Sequence, residues 1–235
     1  MAVQDIAFVE LYTRDKVSAV DRLVSATGFT RVADSVAADR SSVLLRRGGA
    51  QLVVTSGRGI WRFLDDHGDG VADIAFGCAD VARAEAAALA AGAQPAGPDR
   101  GLPVFAGFGA VVHTLVPLRA LPPGRNWTPV PGPAAGPAVR LDHLAVGLPA
   151  AAVPRYARLY RDAFGLDRRD EAAADRVALR AAGGRTLLTL AAADTGPEVR
   201  HLAFRTGDGE HPGDLLELAP STPYAAFERS VPAVR

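Results

Sequence analysis

One cysteine, Cys78, stands in 235 residues. A lone thiol excludes an internal disulfide and fits a reducing, cytoplasmic setting. Within "DIAFGCADV" it reads as a small apolar core residue. Lysine is as scarce: Lys16 is the sole one, and the remaining basic charge is arginine. With alanine abundant, this reads as coding bias and not as a phosphate-binding device. Neither sign of charge is in excess, since 26 basic residues balance 26 acidic ones. Nucleic acid and anionic membrane surfaces are therefore not expected partners. No apolar run approaches the ~20 residues of a membrane span, and the opening "MAVQDIAFVELYTRDK" lacks a signal-peptide pattern. No serine or cysteine sits in a nucleophile elbow and no phosphate-cradling glycine loop is present; "GFG" at 107–109 reads as a tight turn.

What is present is repetition. The stretch 118–140, "LRALPPGRNWTPVPGPAAGPAVR", is too rich in proline and glycine for regular helix or a central strand, and reads as a linker. Trp127 within it is expected to pin the linker to a domain surface. Before it, "DIAFVELYT" is a strand and "KVSAVDRLVSATGF" a helix, with Val17, Val20, Leu23, Val24 and Thr27 at helical spacing and Gly28 as its C-terminal cap. "SSVLLRRGGAQLVVTSG" then forms two strands around a Gly-Gly turn. After the linker the same order returns. "LDHLAVGLP" is the strand, and "VPRYARLYRDAFGL" is the helix, with Pro154 near its start and Tyr156, Leu159, Tyr160, Ala163 and Phe164 on one face. Gly165 closes that helix, and "RVALRAAGGRTLLTLAA" is the second hairpin. Each half holds a further piece: "VADIAFGCADVARAEAAALAAGA" with "VFAGFGAVVHTLVP" in the first, and only "VRHLAFRTGD" with "GDLLELAP" in the second. The expected fold is α+β, with tandem βαβββ modules in two similar domains. Modules 1 and 2 occupy 1–117, the linker 118–140, and module 3 with a truncated module 4 occupies 141–235.

Internal repetition lets the chain serve as its own control. Aligning the first strands puts Phe8 opposite His143. Aligning "VADIAFGCAD" with "VRHLAFRTGD" puts Asp73 opposite His201, and aligning "VVHTLVP" with "DLLELAP" puts Thr114 opposite Glu217. One half carries Phe, Asp and Thr where the other carries His, His and Glu. Two imidazoles and a carboxylate are the facial triad that holds non-haem Fe(II) with open coordination positions. Mn, Co or Ni would suit the same donors. A glutamate inside the apolar run "LLELA" is costly to bury unless paired or metal-bound. Of the other histidines, His67 reads as solvated in a turn, His113 as structural, and His211 as a competing ligand.

These residues resemble the 4-hydroxyphenylpyruvate dioxygenase and 4-hydroxymandelate synthase family of the vicinal oxygen chelate superfamily. "FVELYT", "HGDGVADIAF" and "FGAVVHTLVP" are similar to its N-terminal domain. "LDHLAVGLP" and "EVRHLAFRTGD" are similar to its histidine strands, and "DLLELAPSTPYAAFERS" to its third-ligand strand and closing helix. The resemblance implies His143, His201 and Glu217 as Fe(II) ligands. It implies oxidation by O2 of a 2-oxo acid of arylpyruvate type, in specialised metabolism. Thr189, Tyr224 and Phe227 are expected to contact substrate, whereas Arg176 departs from the family, falling near one of its serines; it would either clamp a carboxylate or lie as a surface strand arginine. Other chemistry in the superfamily (isomerisation, lyase or ring-cleaving reactions) and non-catalytic binding or resistance remain alternatives.

Module 4 departs from the family by its shortness. If 201–206 and 214–219 form an antiparallel hairpin centred on Gly209, His201 and Glu217 stand directly opposite one another. A parallel arrangement would ask seven residues to run back along a strand, where such crossovers usually take about a dozen. The sheet edge left by the deletion would be covered by a second copy, a homodimer.

Overall fold

The computed structural model describes residues 3–118, 121–131, 139–169, 176–206, 215–218 and 229–230; at 169, 186, 206, 215–218 and 229–230 only the backbone is described. The first module runs β1 (Asp5–Tyr12), α1 (Lys16–Thr27), β2 (Thr30–Val36), β3 (Ser41–Arg47) and β4 (Ala50–Ser56). After α2 (Trp61–His67), the second runs β5 (Gly70–Cys78), α3 (Val81–Ala90), β6 (Val104–Ala106) and β7 (Val112–Pro117). β8 (Thr128–Pro129) lies in the linker. The third module runs β9 (Val139–Leu148), α4 (Val153–Phe164), β10 (Asp167–Arg169), β11 (Arg176–Arg180) and β12 (Thr186–Ala192). β13 (Glu198–Thr206), β14 (Leu215–Leu218) and β15 (Arg229–Ser230) follow. Modules 1 and 3 thus both show the βαβββ order, and the strands fall into two mixed sheets.

Local chemistry explains the element ends. The Asp15 carboxylate accepts the Ser18 N–H and caps α1, and Asp80 does the same for α3 through Arg83. Gly28 and Gly165 close α1 and α4 at φ 69° and 65°, a left-handed conformation that a Cβ disfavours. Two expectations need correcting. α1 buries Val20, Leu23 and Thr27, but Val17 is 70% exposed and Val24 lies at the margin. The stripe that meets the sheet is narrower than the apolar pattern, with 17 and 24 on its rim. His67 is the last residue of α2, not a turn residue, and its exposed ring stands 5.2 Å from that of Phe63. At seven residues α2 is too short to announce itself by periodicity.

The chain forms two compact units: Met1–Ala7, Asp73–Gly124 and Asp142–Arg200 make the first, and Phe8–Ala72, Arg125–Leu141 and His201–Arg235 the second. We propose that the modules of the sequence repeat divide at 118–140.

In the first unit, β6, β7 and β5 pair in that order, and β10, β11, β12 and β9 form a second run. Its core is an aromatic cluster around His113, which is fully buried. A carbonyl can only accept, so His113 Nδ1–H donates to the Ile74 carbonyl at 3.1 Å. The Tyr160 hydroxyl then donates to Nε2 at 2.8 Å. The imidazole stacks on Phe76 at 4.5 Å, and Phe164 closes on both rings. Burial lowers His113 to a pKa of about 4 and pushes the Tyr160 phenol well above its ordinary range. His113 is therefore structural. Cys78 is buried as expected, and burial raises its thiol to about 11. The 107–109 turn closes through Val111 N–H to the Phe108 carbonyl.

In the second unit, β1 pairs parallel with β4, followed by β3, β2 and β8. The linker is fastened to this run. Thr128 and Pro129 pair with Asp34 and Ala33 on β2, the edge position that proline tolerates. Arg125 donates from Nη2 to Glu10 at 2.5 Å, with side chains 4% and 3% exposed. The other Glu10 oxygen accepts from Thr55, whose hydroxyl also meets that of Ser42. The guanidinium lies 5.6 Å from the Trp127 ring centre, a contact within the linker itself.

Candidate metal centre

β9 carries His143 between Asp142 and the buried Leu144. The register of β9 on β12 sets Ala145 beside Thr189 and Gly147 beside Ala191. That of β12 on β11 sets Thr189 beside Ala178 and Ala191 beside Arg176. Since side chains alternate along a strand, His143, Ala145, Gly147, Thr189, Ala191, Ala178 and Arg176 share one face. Helix α4 takes the other. There a groove of about 640 Å³ lies among Val153, Pro154, Ala157, Val177 and Ala192. Two of the expected substrate contacts, Arg176 and Thr189, thus stand on the face of His143; Arg176 is exposed and Thr189 partly so. Tyr224, Phe227 and His211 lie outside the described residues.

The His143 ring is held from behind. Its Nδ1 lies 3.0 Å from Asp142 Oδ2, and both side chains are 20% exposed. Glu10 and Arg125 were not singled out from the sequence, yet the signal existed. A carboxylate interrupts the apolar strand "FVELY" just as Glu217 interrupts "LLELA".

His201 lies on β13, partly exposed, between Arg200 and the fully buried Leu202. β14 runs antiparallel to β13, with Leu202 beside Leu218, Ala203 beside Glu217 and Phe204 beside Leu216. The hairpin direction is thus the antiparallel one, but its centre falls at position 210 and not at Gly209. Position 217 therefore stands opposite 203, one diagonal step from 201, and all three positions fall on one face of the sheet. Diagonal neighbours lie roughly 7–8 Å apart, within reach of side chains that converge on a common ion.

The first half supplies the contrast. Asp73, the counterpart of His201, accepts both the N–H and the hydroxyl of Thr114, the counterpart of Glu217, at 3.0 and 2.6 Å. Both are buried. The two positions that would hold an ion there are joined directly to each other. Phe8, opposite His143 in the repeat, is a core residue, 5% exposed. β5 and β7, which carry the pair, run parallel, whereas β13 and β14 run antiparallel. Among the described residues, which leave out the side chain of Glu217, no group of three potential metal ligands assembles. Two imidazoles and a carboxylate, the donor types of His143, His201 and Glu217, are those that suit Fe(II).

Comparison with known proteins converges on one family. Residues 1–116 match the family model described as hydroxyphenylpyruvate dioxygenase, HPPD, N-terminal. A triple mutant of 4-hydroxymandelate synthase from Streptomyces coelicolor superposes with a TM-score of 0.78 at 34% identity, over 88% of this chain and 72% of that one. A xylose isomerase-like TIM barrel/4-hydroxyphenylpyruvate dioxygenase fusion protein matches in fold, with a TM-score of 0.75 at 22% identity, over 88% of this chain and 38% of that one. The fold is that of the vicinal oxygen chelate modules. The chain belongs to the 4-hydroxyphenylpyruvate dioxygenase/4-hydroxymandelate synthase family and spans 72% of the length of the synthase.

Proposed function

We propose that the protein is a cytoplasmic non-haem Fe(II)-dependent oxygenase that acts with O2 on a small 2-oxo acid of arylpyruvate type. The carrying observation is the asymmetry between the halves: His143, His201 and Glu217 stand where the other half has Phe8 and a closed Asp73–Thr114 pair. When bound, the metal supplies the electrons and open positions needed for the 2-oxo acid and O2 to meet. The chain's own task is to hold that ion, fix the substrate's orientation and keep bulk water away. Arg176, on the face of His143, offers a two-pronged donor to a carboxylate, and Thr189 beside it a hydroxyl.

A second reading keeps the metal and changes the reaction. It is favoured by the reversed direction of β14 relative to β7, which alters how a third ligand is presented. Anaerobic reconstitution with Fe(II), followed by 4-hydroxyphenylpyruvate and related 2-oxo acids, separates the two. A visible charge-transfer band that is absent in His201→Ala supports the oxygenase. Iron binding without a band for any 2-oxo acid favours the second reading. No iron binding refutes both.

A further inference from the structure

We propose that Asp142 is a positioning residue for the metal ligand His143, fixing the tautomer and the ring angle of that imidazole; this rests on the metal-centre reading above. The two side chains are adjacent in sequence, and a regular strand would send them to opposite faces. Their 3.0 Å contact therefore requires both to lean toward one another. A carboxylate that is four-fifths removed from solvent needs a donor, and the Nδ1–H of His143 is one. Once Nδ1 carries the proton, the lone pair of His143 is confined to Nε2. A negative group behind the ring makes that lone pair a stronger donor to a cation.

The repeat sharpens the assignment. The residue before Phe8 is Ala7, the one before Asp73 is Ala72, and the one before His201 is Arg200. Of four equivalent strands, only that of His143 puts a carboxylate behind its site residue. The two histidines are thus inequivalent by construction. His143 is backed by an anion and His201 is preceded by a cation, Arg200, whose Nε lies 3.8 Å from Glu198.

Two measurements test this. In the metal-free protein, ¹⁵N NMR of the imidazole reports the tautomer directly. Wild type is expected to show Nδ1–H at His143, Asp142→Asn to retain it through the amide carbonyl, and Asp142→Ala to relax toward the Nε2–H form that predominates in water. In the second, Co(II) is titrated as a spectroscopic probe. Asp142→Ala is expected to bind it about 10–100-fold more weakly, with a shifted visible spectrum and an unchanged melting temperature of the metal-free protein. Asp142→Asn is expected to recover most of the affinity. An Asp142→Ala variant with wild-type tautomer, Co(II) affinity and spectrum overturns the positioning role while the metal centre stands. Wild type that binds no Co(II) overturns the metal-centre reading and the positioning role with it, and the NMR result then reports only on the hydrogen bond.

Discussion

Acid should destabilise this protein through a single buried imidazole. His113 is neutral in the folded state because burial lowers its pKa from 6.5 to about 4. The unfolded chain, with His113 near its ordinary value, binds the proton more readily. A group whose folded pKa is depressed contributes its full stability above the unfolded pKa. That stability is lost as pH falls from about 6.5 through about 4. The difference of roughly 2.5 pKa units corresponds to about 3 kcal/mol in all, of which about 2 kcal/mol is lost between about pH 7 and about pH 4.5. Carboxylates titrate in the same window, so the reading must be differential. Urea unfolding of wild type and of His113→Phe/Tyr160→Phe should be compared across that range; the double variant removes both hydrogen-bonding partners while filling the same space. The wild type is expected to lose about 2 kcal/mol more than the variant. Parallel pH profiles for the two proteins, or a His113 NMR titration with a midpoint near 6.5, would refute the reasoning.

Other consequences can be checked by similar means. Arg125→Met should cost about 3–5 kcal/mol by leaving Glu10 buried without its cation, while Glu10→Met/Arg125→Met should unfold within about 1 kcal/mol of wild type. A double-mutant cycle in urea measures both, and a near-neutral single variant contradicts the buried pair. Cys78, with its thiol raised to about 11, should react with Ellman's reagent far more slowly in the native protein than in urea. Fast native labelling would place it at the surface. Gly107→Ala should lower the melting temperature markedly, because the new Cβ would stand 2.5 Å from His113 Nε2 and 2.8 Å from the Val111 carbonyl. A tolerated alanine would mean that the cluster can relax.

Much of this molecule is legible in the chain order because its signals are local. Helix caps at Gly28 and Gly165, hairpins at Gly-Gly pairs and the strand–helix alternation each depend on a few neighbouring residues, so they survive without knowledge of the fold. The repeat added a longer ruler, setting His143, His201 and Glu217 against Phe8, Asp73 and Thr114. Pairings across great sequence distances were a different matter. Arg125 meets Glu10 over 115 positions, and Tyr160 meets His113 over 47. Nothing local distinguishes those partners from any other arginine or tyrosine, because packing chooses them. The same holds for the β13–β14 register. Antiparallel direction follows from how few residues join the strands, but the two-residue offset between 201 and 217 is set by how the strands seat against their neighbours. Composition and spacing determined which residues could hold an ion. Tertiary structure decided which strand positions share a face, that His143 meets a carboxylate, and which polar groups of the first half are consumed by each other.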